Sequence, residues 1–274
     1  MPQVLQNVVF PTERDPDILP LYADPETWAT IDEEPVRVTS VAQLANVLDR
    51  RRATVPAGRR VSFASYFNAF PASYWQHWTT VRSVMLTVRT AGRGTVLVYR
   101  SNGSGVKQRI LTNEVDGAAT TSVDLVLNQY SDGGWIWFDL VADAEDLAFE
   151  GAEWTTDDAP ARAGKASLGI TTFNKPDYCV ETLANLADAP EALELIDRIF
   201  VIDQGTDLVG DRPEFPELGE RLGEQLVVLR QPNLGGSGGF SRAMVETLAR
   251  EDSDFVQLLD DDVRIEPESI RRSI

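Results

Sequence analysis

The pattern of apolar residues changes once along this chain, near residue 160, and that change limits the fold more than any other feature. Before it, apolar residues fall in short runs between turn residues. Ser83 to Val88 is one run and Thr95 to Tyr99, after Gly92-Arg93-Gly94, is another. Val123, Leu125 and Leu127 alternate with polar or smaller residues, and Trp135 to Leu140 follows Gly133-Gly134. Short β-rich runs with turn signals and no long helical period predict an all-β unit, a jelly-roll-like sandwich. After residue 160 the pattern alternates. Ser167 to Thr172, Arg198 to Asp203, Leu226 to Leu229 and Phe255 to Leu259 read as buried strands. Pro176 to about Leu186 and Phe240 to Arg250 read as helices. Strands alternating with helices imply an α/β unit: a parallel sheet with right-handed crossovers.

The boundary falls in the polar stretch Thr155 to Lys165. Residues 1–60 are rich in proline and charge and read as an N-terminal extension, partly helical over Val41 to Arg52 with Ser40 as N-cap. Residues 61–160 form the predicted sandwich, and residues 166–274 the start of the α/β unit.

A chain of 274 residues with 43% apolar side chains can build such cores without staples. Cys179 is the only cysteine and His77 the only histidine, so disulfide frameworks and cysteine-based zinc sites are excluded. A metal site would have to use carboxylates. The net charge of −18 opposes tracking along nucleic acid backbones. Residues 166–274 hold 22 acidic and 10 basic side chains, against 21 and 15 before them. Met1 to Arg14 has no basic stretch followed by an apolar run, and no window approaches about 18 consecutive apolar residues. The expected location is cytoplasmic, with peripheral contact on the inner face of the membrane left open.

In parallel sheets, ligands bind beyond the carboxyl ends of the strands. Asp260-Asp261-Asp262 directly follows the last strand. Unit charges about 4 Å apart repel by roughly 4 kcal/mol near a protein surface. A divalent cation turns that repulsion into attraction, and oxygen ligands suit Mg²⁺ or Mn²⁺. The alternative is an acidic turn capping the helix near Glu266 and Pro267. Asn233 to Gly239 opens a helix, where glycines let backbone amides approach a phosphate. It is neither a Walker loop nor a dinucleotide fingerprint, because Ser241 stands in the place of the third glycine. The alternative is a flexible connection. Thr172-Phe173-Asn174-Lys175 and Asp203-Gln204-Gly205 also end strands. Their amides can meet a base edge, Phe173 a ring and Lys175 a phosphate, or all can be turn chemistry. Cys179 is expected to pack in its helix and His77 to be structural. Tyr66, Phe67, Phe70, Tyr74, Trp75 and Trp78 form an aromatic cluster, read as core or inter-domain packing before sugar stacking.

Four segments together carry a resemblance: Phe63 to Trp75, Asp132 to Asp139, Gln231 to Gly239, and Asp260 to Asp262. From about residue 60 to the C-terminus the chain resembles the polymerising galactofuranosyltransferases of mycobacteria and corynebacteria. The resemblance implies a β-sandwich followed by a GT-A, family-2-like glycosyltransferase fold. It implies inverting transfer from UDP-galactofuranose to a polyprenyl-diphosphate-linked galactan in arabinogalactan synthesis, with alternating β-1,5 and β-1,6 linkages. A Mn²⁺ or Mg²⁺ cofactor and a homo-oligomer are part of the same expectation. By the same resemblance Thr171, Thr172, Phe173, Lys175 and Gln204 hold the uridine nucleotide, and Asn233 faces the nucleotide or donor. Asp260 and Asp262 bind the metal, and Asp261 the donor sugar or ribose. Thr171 and Lys175 stand where the family has proline and arginine, so a point charge replaces a bidentate guanidinium. The family's general base and a metal-binding histidine lie beyond Ile274, so the chain is expected to be the N-terminal portion of a longer enzyme.

Two other readings compete. A metal-dependent sugar nucleotidyltransferase would place a glycine-rich basic loop after its first parallel strand, and Thr171 to Pro176 has none. A non-catalytic sugar-binding or assembly module would place its function in the sandwich.

Overall fold

The computed structural model describes residues 2–11, 15, 17–26, 28–31, 34–37, 46–160, 164–250 and 253–274, with backbone alone over 25–46. Residues Met1–Ala161 form one compact unit and Arg162–Ile274 a second.

In the first unit, strands β1 (Gln3–Asn7), β2 (Asp24–Glu26), β3 (Trp28–Ile31), β4 (Glu34–Arg37), β5 (Asn46–Val47), β6 (Ala53–Val55) and β7 (Arg60–Ser62) precede a short helix, α1 (Ala72–Trp78). Strands β8 (Ser83–Ala91), β9 (Gly94–Ser101), β10 (Lys107–Val115), β11 (Ala118–Val126), β12 (Ile136–Ala142) and β13 (Leu147–Thr156) follow. One sheet has the order β11-β8-β13-β6-β5, with β1 also on β13; a second has the order β10-β9-β12-β7-β2. The pairings within both are antiparallel, and β3 and β4 pair apart from them. Alternate residues drive this arrangement: Val84, Leu86 and Val88 of β8, and Ile136, Phe138 and Leu140 of β12, are buried in one shared core. Phe63 stacks on Phe138 with ring centroids 4.4 Å apart, and Phe70 on Trp154 at 5.0 Å.

Among the described residues before Arg60, β1, β2, β5 and β6 are paired into the two sheets rather than standing apart from them. β1 pairs with Glu153 to Thr156 of β13, and β6 with Leu147 to Phe149 of the same strand. Asn68 is fully buried. Its Nδ2 donates to the carbonyls of Val9 and Tyr22, and its Oδ1 accepts from the Val9 amide. Those bonds satisfy buried backbone groups that an irregular entry segment would otherwise leave orphaned. The helix expected over Val41 to Arg52 is not formed where it can be followed. Ser40 and residues 41–45 lie outside the described residues. From Asn46 the chain is strand β5 and then a turn, in which Asp49 Oδ1 accepts from the amides of Arg51 and Arg52 at 2.8 and 2.9 Å. A short carboxylate competing for local amides is what diverts such a segment from a helix.

The aromatic cluster divides. Phe70 is buried and Trp75 packs on the core, but Tyr66, Tyr74 and Trp78 are exposed. The packing reading therefore holds for part of it only.

The second unit runs β14 (Ala166–Thr172), α2 (Pro176–Ala187), α3 (Pro190–Leu193), β15 (Ile196–Asp203), α4 (Phe215–Leu222), β16 (Leu226–Arg230), α5 (Gly235–Arg250), β17 (Phe255–Asp260) and α6 (Pro267–Ser273). Its sheet is wholly parallel in the order β16-β15-β14-β17. The strand order reverses beside β14, which puts a crevice between the carboxyl ends of β14 and β17. Leu168, Ile170, Ile199 and Val201 face one core with Leu183, Leu218 and Ile270. Phe200 and Ile202 face the other, against Ala243 of α5. On that second side β14 presents Ser167, Gly169 and Thr171. A side chain at Gly169 would come within 2.6 Å of the Ala243 Cβ, and one at Gly239 within 2.5 Å of the Thr171 hydroxyl. Small residues thus let α5 lie directly on the central strand. The helix begins at Gly235, five residues before the expected start at Phe240; of its first glycines Gly239 packs closely on Thr171, while Gly235 and Gly236 have nothing within 4 Å.

Candidate functional site

Register places Thr172 beside Asp203, Asp203 beside Arg230, and Thr171 beside Asp260, all at the carboxyl edge of the sheet. Side chains from the loops beyond then tie those loops together. Asn174 sits in the left-handed region at φ 54, where asparagine is tolerated. Its Oδ1 accepts from the amides of Thr206 and Asp207 at 2.8 and 3.0 Å, joining the loop after β14 to the loop after β15. Gln204 joins the loop after β15 to the loop after β16. Its Oε1 accepts from the Leu234 amide at 2.8 Å and from Gln231 Nε2 at 3.1 Å, and its Nε2 donates to the Gly235 carbonyl. Lys175 joins the loop after β14 to the loop after β17 through Asp262 Oδ2 at 2.9 Å. Asp203, nearly fully buried, holds its own loop by accepting from the amides of Gly205 and Val209.

These contacts define what each expected residue has left to offer. An amide side chain has two N–H donors and two acceptor lone pairs. Among the described residues Gln204 spends both lone pairs and one donor on its neighbours, so it retains one N–H. Asn233 Oδ1 accepts from the Gly235 amide at 2.9 Å and fixes the entry to α5. Phe173 is exposed and free to meet a flat ring. Thr171 and Thr172 are buried, and their hydroxyls have no partner among the described residues. The first turns of α2 and α5 open onto the same edge, and such amides favour anions.

The three adjacent carboxylates behave differently from one another. Asp260 and Asp262 are exposed and Asp261 is half-buried. The hydrogen bond to Lys175 holds Asp262 below the usual carboxylate range, and the same bond raises Lys175 above the usual lysine value. Burial, then the carboxylates of Asp261 and Asp203, push the Cys179 thiol up to about 12, so it stays protonated and inert. No three metal-binding side chains among the described residues already converge on one point. As donors, Asp260 and Asp262 supply carboxylate oxygens suited to a hard divalent cation. The ammonium of Lys175 stands in as a cation on the second of them. They fit as part of a ligand set that a diphosphate would complete.

One residue at this edge, Arg212, escaped the sequence reading. Arg212 pairs with Asp177 at the start of α2 and with Asp207, each at 2.6 Å. Nothing in the spacing of these residues announces the contact. His77, in the first unit, is exposed, with Nε2 2.9 Å from the Ser131 carbonyl, a contact within its own unit.

Comparison with known proteins divides the chain at the same place as its fold. A family described as "Galactofuranosyltransferase 2 N-terminal" matches residues 5–157. A second, described as "Glycosyltransferase like family 2", matches residues 163–274. The galactofuranosyltransferase GlfT2 of Mycobacterium tuberculosis is 40% identical over 98% of this chain. The protein of that name from Mycolicibacterium smegmatis is 39% identical over 99%. In both cases the chain spans 41% of the relative's length. No helix among the described residues is long and apolar enough to cross a membrane.

Proposed function

We propose a function from one premise: the chain belongs to the galactofuranosyltransferase family whose N-terminal region covers residues 5–157. In this reading it is the donor-binding portion of an inverting galactofuranosyltransferase, and the donor is UDP-galactofuranose. The acceptor is a polyprenyl-diphosphate-linked galactan. The observation that carries the proposal is the convergence of four loops on one sheet edge, tied by Asn174, Gln204 and the Lys175–Asp262 pair.

The chain's own groups then have distinct tasks. Phe173 offers a face to the uracil, and the remaining N–H of Gln204 and the Thr172 hydroxyl offer polar contacts to the nucleoside. Asn233 sets the first turn of α5, whose amides face the diphosphate. Lys175 adds a point charge to the same group. Asp261 addresses the ribose or donor sugar. Asp260 and Asp262 would hold Mn²⁺ or Mg²⁺, which when bound supplies charge neutralisation for the departing UDP. An acceptor hydroxyl attacks the anomeric carbon on the face opposite the UDP and inverts it. The base that takes the hydroxyl proton is assigned to none of the described residues.

Calorimetry of UDP binding with and without Mn²⁺ tests this. Asp260→Ala should weaken metal-dependent binding at least tenfold while leaving the melting temperature unchanged. Metal-dependent binding that survives the substitution would overturn the assignment.

A further inference from the structure

The first unit contains a second candidate site that the nucleotide chemistry does not use. A pocket of about 290 Å³ opens where β9 ends and β10 begins, and Arg100, Asn102, Gln108, Gln129 and Tyr130 line it. Its size is near the lower limit of small-molecule pockets, about 300 Å³. The glycine-tryptophan segment Asp132 to Trp135 forms the neighbouring loop. Trp135 donates its backbone N–H to Ser101 Oγ at 3.1 Å and accepts from the Ser101 amide at 2.8 Å.

The loop is built to hold this geometry. Gly134 has φ 135, and a side chain there would come within 2.8 Å of the Tyr130 ring. A side chain at Gly103 would overlap the Asp132 carbonyl. Helix α1 braces the other side: Ser73 donates its amide to the Gly134 carbonyl, and Gln76 Oε1 accepts from the Tyr130 amide at 2.7 Å. Three large aromatic side chains remain exposed on these two elements: Trp135 at 43%, Tyr74 at 58% and Trp78 at 77%. Tyr74 and Trp78 are four residues apart on α1 and share a face.

The lining chemistry narrows the ligand. Asn102 Oδ1 accepts from the amides of Ser104 and Val106 at 3.1 and 3.0 Å, so Asn102 offers N–H donors, as does Gln108, whereas Gln129 offers donors and an acceptor on one amide. Arg100 spends two N–H groups on Gln108 Oε1, at 3.1 and 2.9 Å, so the pocket's cation is partly satisfied. Among the described residues no carboxylate lines the pocket, which argues against a metal ion. Several N–H donors and the Gln129 acceptor, next to a loop that exposes Trp135, match a neutral polyol whose ring has an apolar C–H side. We infer that this pocket and Trp135 form a saccharide-binding subsite in the first unit, separate from the nucleotide edge of the second. The choice of galactofuranose as its sugar rests on the proposed function; the saccharide class rests on the pocket.

The test uses the full 274-residue chain and a β-galactofuranosyl hexasaccharide, followed by calorimetry in the absence of UDP. The hexasaccharide should bind. Gln129→Ala and Trp135→Ala should each weaken binding tenfold or more and leave UDP affinity unchanged. Gln129 is exposed, so its substitution leaves the core intact, and near-ultraviolet circular dichroism checks folding. No binding of this or of a galactopyranosyl chain overturns the inference, as does binding that survives both substitutions or is displaced by inorganic phosphate. Loss of UDP binding in the unmodified chain with retained sugar binding would sink the proposed function and leave this subsite standing.

Discussion

Strand β8 of the first unit is buried at every second residue, whereas β14 of the second is buried at all seven. The contrast decides where each unit can do chemistry. A strand with one buried face belongs to a sandwich whose loops and sheet ends carry surface pockets. A strand buried on both faces leaves only its carboxyl end open. The saccharide subsite inferred at the end of β9 and the donor site proposed beyond β14 follow from those two patterns.

Three experiments test the contrast. The largest effect belongs to Trp154, which is wholly buried between the sheets of the first unit. Trp154→Ala should cost about 3–5 kcal/mol. Urea denaturation should show the loss, with UDP binding by the second unit retained at low urea. Simultaneous loss of UDP binding would mean that the units do not fold independently. The next effect belongs to the contact of α5 with β14. Gly239→Ala inserts a methyl group against Thr171 and should destabilise the second unit by about 1–3 kcal/mol. Gly236→Ala meets nothing within 4 Å and should be neutral or stabilising by up to about 1 kcal/mol. Equal thermal shifts for the two variants would show that the close approach does not constrain the helix.

The smallest effect at neutral pH belongs to Cys179. Its folded pKa is raised, so the protonated thiol favours the folded state. That contribution is complete below the ordinary thiol value of 9.0 and is lost as pH rises toward about 12. A thiol reagent at pH 8 should label the folded chain far more slowly than the unfolded one. Rapid labelling in native buffer would show that the helix face of the second unit is less closed than β14 implies.

The second unit was the more legible in sequence because its signal is local. The strands read at Ser167, Arg198, Leu226 and Phe255 were each recovered within two residues of their starts. Four glycines within Gly235 to Gly239 misled the reading of α5, because a low intrinsic helix propensity was outweighed by the contacts of Gly239 with Thr171. Helix α4 was missed, as was the Arg212 contact just before it. In the first unit, β1 and β6 escaped notice because what defines them is pairing with β13, about 150 and 95 residues further along the chain. Alternation cannot report a partner that distant. The site residues were legible as strand ends, but their ties were not. That Gln204 spends most of its amide on the glycine segment depends on a neighbour 30 residues away.

Gly169 and Gly239 have one more consequence. With no side-chain padding between α5 and β14, the helix has no slack against the central strand. The amides at its head are therefore held as firmly as the sheet itself, and an anion arriving there would meet a scaffold already set in its final shape.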